Sequence, residues 1–118
     1  DLVAGIDARG FIFASGMACK LNKGFVMLRK KNKLPGKTLS QEYDLEYGKD
    51  TIEINVNIEN KRVLLVDDLL ATGGTANAAI KLLKKSGAKV KGFSCLIELS
   101  FLNGKQELNI PFKSLIRY

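Results

Sequence analysis

The stretch from Arg62 to Thr75, reading RVLLVDDLLATGGT, constrains this chain more than any other. It joins an unbroken apolar run, two adjacent carboxylates, a glycine pair between threonines and the start of a helical pattern. Val63 to Val66 has no polar interruption, as expected of a parallel strand covered on both faces. In an open α/β sheet, ligands bind in the crevice outside the carboxyl ends of the strands. Asp67 and Asp68 are therefore expected there, at the end of the strand, with ionised oxygens that only accept hydrogen bonds and so suit sugar hydroxyls. Thr72-Gly73-Gly74-Thr75 adds two hydroxyls, and two residues whose missing Cβ lets backbone N–H groups close around a phosphate. A helix beginning directly afterwards would favour that anion by ~0.3–1 kcal/mol through its free N–H groups and dipole. Singly, an aspartate before a helix is an ordinary N-cap and Gly-Gly an ordinary turn. Their order, strand then acids then glycine turn then helix, points to a sugar phosphate.

Competing chemistries fall away on residues. No G-x-G-x-x-G occurs, and Gly5 to Gly10 has Walker-type spacing but is followed by Phe11-Ile12 in place of Lys-Ser/Thr, so neither dinucleotide nor NTPase binding is supported. Histidine is absent, which removes the serine–histidine triad, H-E-x-x-H zinc sites and any imidazole base. Acid or base work falls to carboxylates, Lys or Tyr. The net charge of +7 raises the question of nucleic acid. Lys81, Lys84, Lys85, Lys89 and Lys91, however, lie on or just after one amphipathic helix, where a solvated face explains them, and no aromatic residues interleave with them as a stacking platform needs. Arg9, Arg29, Lys30, Lys31 and Lys33, nearer the expected crevice, fit a polyanionic small molecule. Cys19 and Cys95 have no metal-type spacing and are expected to stay reduced and packed in the core, which favours the cytoplasm. Charges or polar residues interrupt every hydrophobic run, so neither a membrane nor a nucleic-acid partner is expected.

At 118 residues the chain is expected to form a single domain, 1–118. The pattern predicts a first strand over Leu2 to Ile6, a helix from Phe11 to Leu21 and a second strand from Phe25 to Leu28. Arg29 to Gly36 is a basic loop with Pro-Gly punctuation. Leu39 to Ile54 reads as a projecting excursion containing a hairpin around Gly48-Lys49-Asp50. After the motif strand come a helix over about Thr75 to Ser86, with Ala76, Ala79, Ile80 and Leu83 inward and Gly87 at its C-terminus, and a strand from Val90 to Leu99. Leu102 to Pro111 is expected as loop and Phe112 to Ile116 as a last strand. This order predicts an α/β fold with a doubly wound, mostly parallel sheet, in which the Asp7 turn and the Asp67 segment emerge at one sheet edge.

Val66-Asp67-Asp68-Leu69-Leu70-Ala71-Thr72-Gly73-Gly74-Thr75 resembles the phosphoribosyl pyrophosphate (PRPP) motif of the type I phosphoribosyltransferases, in the form found in their adenine-specific branch. Gly5-Ile6-Asp7-Ala8-Arg9-Gly10-Phe11, Leu28-Arg29-Lys30, Lys33-Leu34-Pro35-Gly36, Tyr43-Asp44-Leu45-Glu46-Tyr47-Gly48-Lys49 and Cys95-Leu96-Ile97-Glu98-Leu99 resemble the same branch in order and without large gaps. The resemblance covers nearly the whole chain.

It implies the reaction of adenine with PRPP to AMP and pyrophosphate, a step of purine salvage, in a cytoplasmic homodimer. By the family pattern Ala71, Thr72, Gly73, Gly74 and Thr75 hold the 5′-phosphate, while Asp67 and Asp68 bind the ribose hydroxyls. Ala8, Arg9 and Gly10 form the pyrophosphate loop, with backbone amides approaching the anion and Arg9 adding a forked donor. Arg29 and Lys33 match diphosphate-binding positions, and for Arg29 the resemblance leaves open that it serves the site of a neighbouring subunit. Asn32 stands where the family often has glycine. Glu46 is implied as the acid/base group near adenine N7, acting with Arg9 as the catalytic pair, and Tyr47 and Leu69 as walls for the base. Mg²⁺ is expected on diphosphate and ribose oxygens, with no direct protein ligand. In the relatives a hood preceding the first strand reads the purine; this sequence does not display it. These residues alone are therefore expected to bind PRPP but turn over little adenine. Two alternatives stay open: a non-catalytic PRPP-sensing regulator of the same fold, and a transferase for another base. Glu46-Tyr47 and Ala71-Thr72 favour the adenine enzyme.

Overall fold

The two most apolar strands lie side by side at the centre of the sheet in the computed structural model, which describes residues 1–45 and 47–118. β1 (Leu2–Ile6) pairs in parallel with β5 (Arg62–Leu70) on one side and with β2 (Gly24–Lys30) on the other. Between them come α1 (Gly10–Leu21) and the antiparallel pair β3 (Leu39–Leu45) and β4 (Gly48–Ile54). α2 (Gly74–Lys85) follows β5, and then β6 (Lys89–Glu98), short 3₁₀ turns at Ser100–Leu102 and Gly104–Glu107, and β7 (Phe112–Arg117). Among the described residues these strands form one sheet in the order β3-β4-β2-β1-β5-β6-β7, parallel throughout except where β4 joins β2 and β3.

Alternation along β1 and β5 sets the two helices on opposite faces, since successive strand residues point to opposite sides. Val3 and Val66 face α1 and pack on Ala14 and Ala18. Ala4, Ile6, Val63 and Leu65 face the other way, into the main core with Ala76, Ala79, Ile80 and Leu83 of α2, the four positions expected to point inward, joined by Ala78 and Leu82. The doubly wound architecture follows from this alternation. No described helix is long and apolar enough to cross a membrane.

Three expectations need correction. The motif strand does not end at Val66. It runs on to Leu70, with Asp67 opposite Cys95, Leu69 opposite Ile97 and Leu70 opposite Glu98. β1 stops at Ile6, and its last partner on β5 is Val66, so β5 overhangs β1 by several residues. Aspartate is a poor strand former, but continued pairing with β6 overrides that preference. Second, the excursion over Leu39 to Ile54 is an integral part of the sheet, docked on β2 through Arg29 opposite Glu53 and Lys30 opposite Ile52. Third, Cys95 is buried but Cys19 is exposed. Ala14 and Ala18 form the buried stripe of α1, and Cys19, one position further round the helix, falls outside it.

Candidate active site

The overhang of β5 creates a cavity of about 240 Å³, bounded by Ile6 to Arg9 leaving β1, by Asp67 to Ala76 running from β5 into α2, and by Lys30. Each boundary has a different physical character.

The α2 end is made of backbone. Gly73 precedes the helix with φ of +91°, a left-handed conformation that glycine adopts at no steric cost, and no side chain caps the helix start. The first turn carries no acidic residue, so its N–H groups and positive dipole end are left for an anion. The loop is pressed from behind by Gly104: a Cβ on Gly73 would lie 2.6 Å from the Gly104 carbonyl oxygen, and a Cβ on Gly104 would collide with the Ala71 carbonyl oxygen. Gly74 differs, since an added Cβ there would meet nothing closer than 3.9 Å. The protein does not itself require glycine at 74; the space lies open for a ligand to approach the main chain. Gly104 was not foreseen from sequence. The only local signal was the turn dipeptide Asn103-Gly104, with Asn103 left-handed at φ 54°.

The twin acids stand on the overhang. Asp67 accepts the backbone N–H of Asp68 on Oδ1 at 2.8 Å. Burial, and then the neighbouring Asp68 carboxylate, push its pKa up to about 7, against the opposing pull of that backbone hydrogen bond and of Arg9. Asp68 is more open, and its Oδ2 lies 2.7 Å from Arg9 Nε.

Opposite them, the turn after β1 is organised by charge. Asp7 is only 4% exposed at its side chain, and its Oδ2 lies 3.5 Å from Arg29 Nε and 3.7 Å from Lys33 Nζ. The same oxygen accepts the Lys30 backbone N–H at 3.1 Å. Asp7 therefore gathers the basic end of β2, together with Lys33 just after it, beside the cavity. Among the described residues, Arg29 Nε is buried with no hydrogen-bond partner beyond that long ion pair. The Asp7–Ala8 peptide is cis. Gly10 was expected to let amides approach an anion, but the structure supplies another reason for it: a Cβ there would sit 2.9 Å from Asp67 Oδ1 and 3.1 Å from the Val66 carbonyl oxygen. The absence of a side chain lets α1 start directly against β5.

Of the residues singled out from sequence, Ala8, Arg9, Asp67, Asp68, Leu69, Ala71, Thr72, Gly73, Gly74 and Thr75 all meet at this one cavity. Arg29 and Lys33 stand behind its rim on Asp7. Tyr47 is 93% exposed and is not brought to the cavity. Glu46 lies outside the described residues. No group of three or more Asp, Glu, Cys or His among the described residues gathers into a metal cage. The carboxylates at the cavity, each already holding one protein partner, have lone pairs left for the water shell of an ion carried by the substrate.

A cavity at the switch point of a doubly wound sheet is where such folds bind ligands, and here the uncapped helix start at one end suits an anion while the paired acids beside it suit hydroxyl groups. The Phosphoribosyl transferase domain family matches residues 1–112, and the chain belongs to that family. Within it the similarity is to adenine phosphoribosyltransferases. The Acidiphilium cryptum protein of that name is 55% identical over 120 residues, covering all of this chain and 70% of the relative. The crystal structure of adenine phosphoribosyltransferase from Thermoanaerobacter pseudethanolicus superposes with a TM-score of 0.96 at 48% identity, over all of this chain and 70% of that one. The Saccharomyces cerevisiae enzyme, complexed with an imino-altritol bisphosphate and adenine, superposes with a TM-score of 0.94 at 40% identity, over 98% of this chain and 66% of that one.

Proposed function

We propose that this protein transfers the phosphoribosyl group of PRPP to adenine, forming AMP and releasing pyrophosphate. The observation that carries the reading is the uncapped start of α2 at Gly73 and Gly74, set beside Asp67 and Asp68 on the β5 overhang. The 5′-phosphate sits on the N–H groups of Ala71 to Thr75 and the two threonine hydroxyls. Asp67 and Asp68 accept the ribose hydroxyls. Their charge faces the ring as the C1′–O bond to pyrophosphate breaks ahead of the new bond to adenine N9, when the ribose becomes cationic. Arg9 exchanges Asp68 for the departing diphosphate, which takes the bonding electron pair, and Arg29 and Lys33 add positive charge from the Asp7 side. Leu69 borders the position of the base. By the family pattern Glu46 takes up the proton balance near adenine N7 and Tyr47 walls the base, and closure over the bound substrates keeps water from C1′.

Asp67 and Asp68 would stand beside a Mg²⁺ brought in with the substrate, and the ion would supply charge neutralisation for the leaving group. A cytoplasmic homodimer fits the family pattern, and exposed Ile12, Phe25 and Met27 on α1 and β2 provide apolar surface for it.

The test is adenine-dependent pyrophosphate release by the full-length product with PRPP and Mg²⁺, run beside hypoxanthine, guanine, xanthine and orotate. Turnover with adenine alone is expected. Preference for another base, or salt-dependent duplex binding with PRPP as effector and no release, overturns the reading. Glu46→Gln should lower kcat more than PRPP affinity, and unchanged turnover would remove the acid/base assignment.

A further inference from the structure

We propose that Tyr43 and Asp50 are positioning residues that hold the Lys30 ammonium at the rim of the cavity for the diphosphate, and so tie the β3–β4 hairpin to the leaving-group site. This rests on the reading of the cavity given above.

Three side chains from three strands meet here in a closed triangle. Lys30 Nζ donates to the Tyr43 hydroxyl at 2.5 Å and to Asp50 Oδ2 at 3.1 Å, and the Tyr43 hydroxyl donates to the same Asp50 oxygen at 3.2 Å. Asp50 is anchored in turn by the Thr51 backbone N–H on Oδ1 at 2.8 Å. The Lys30 ammonium also lies 5.3 Å from the centre of the Tyr43 ring. Tyr43 is buried in the main core, so its hydroxyl is a fixed point. Tyr43 and Asp50 are cross-strand partners in the hairpin, and Lys30 is the last β2 residue paired with β4. The triangle therefore stands where the hairpin leaves the parallel sheet.

Ordinary surface charge does not account for this arrangement. Burial by itself would lower the Lys30 pKa, but the Tyr43 hydroxyl and the Asp50 carboxylate outweigh it and raise it; Asp50 is lowered despite its own burial, by the Thr51 N–H and then by Lys30. The ammonium is thus held charged. A free lysine loses much rotamer freedom on gripping a ligand, and here the triangle has already restricted the side chain. The ammonium has three donors, of which Tyr43 and Asp50 take two, so one is left for a diphosphate oxygen. The Lys30 backbone meanwhile donates to Asp7, so one residue links the turn after β1, the cavity and the hairpin.

Calorimetry with pyrophosphate and, separately, ribose 5-phosphate tests this, each with Mg²⁺, on the full-length wild type, Tyr43→Phe, Asp50→Asn and Lys30→Gln. Asp50→Asn and Tyr43→Phe should each weaken pyrophosphate roughly tenfold and leave ribose 5-phosphate, held at the α2 end, unchanged. Adding Asp50→Asn to Lys30→Gln should cost nothing further, because the carboxylate acts through the ammonium. Asp50→Glu should recover part of the loss. Unchanged pyrophosphate binding in both single variants, or additive losses in the double variant, would overturn the proposal, as would equal weakening of both ligands. Failure of the wild type to bind either ligand would instead strike the reading of the cavity itself.

Discussion

The two ends of the cavity are built from opposite materials. At the α2 end the walls are main chain: Gly74 opens an uncapped helix with free space before it, and Gly73 is wedged against Gly104 with no room for a single added carbon. At the Asp7 end they are long charged side chains, with Arg9 on Asp68, Arg29 and Lys33 on Asp7, and Lys30 on Tyr43 and Asp50. Backbone amides locked by packing cannot change partners; lysine and arginine side chains can. The difference matches the chemistry proposed for each end. The 5′-phosphate is carried unchanged from substrate to product and needs a fixed seat, whereas the diphosphate must be gripped, stabilised as charge builds on it, and let go.

That contrast can be broken by experiment. The largest effect is expected at the side-chain end from Asp68→Asn, which removes a ribose acceptor and the partner of Arg9 together. It should cost on the order of 10²-fold in kcat/KM, measured by steady-state assay of the full-length product. A loss of only a few fold would mean that Asp68 is a mere partner for Arg9. At the backbone end, Gly104→Ala should raise the KM for PRPP roughly tenfold with a much smaller change in kcat, because the displaced loop contacts a phosphate that does not react. If kcat fell and KM held, the two ends would not divide the work as described.

The smallest effect concerns Asp67, which sits between the ends. Its pKa is raised on folding from an ordinary 3.8 to about 7, by burial and then by Asp68, so the folded state binds its proton more tightly than the unfolded chain. The stabilisation is fully present below pH 3.8 and is lost as pH climbs to about 7, levelling off above. Asp67→Asn cannot ionise, so the Tm of the variant relative to wild type should rise between pH 4 and 7 and then flatten. A constant difference across that range would mean that burial and Asp68 do not govern this carboxyl.

Much of this was legible in the residue order, for a local reason. Strand, acid pair, glycine turn and helix follow one another within a few residues, and the alternation of apolar side chains shows which strands lie inside. The spans of β1, α2 and β7 were read to within a residue or two on that basis. The errors share a cause as well. Asp67 and Asp68 read as the end of a strand because aspartate disfavours one, and only pairing with β6 carries β5 onward to form the overhang. In α1 the helical spacing of Ala14, Ala18 and Leu21 marks the stripe of which Ala14 and Ala18 are buried, but the helix is apolar on most of its circumference, so its sequence does not show that Cys19 and Leu21 lie outside.

By itself the sequence determined the class of fold, the glycine turn before α2 and the carboxylates beside it, because each rests on neighbours along the chain. The tertiary structure alone decided that Gly104 backs that turn, that Asp7 gathers Arg29 and Lys33, that Lys30 meets Tyr43 and Asp50, and that burial raises the pKa of Asp67. These contacts join residues from 13 to about 30 positions apart, or depend on burial, and neither distance in space nor exclusion of water is written in a local pattern.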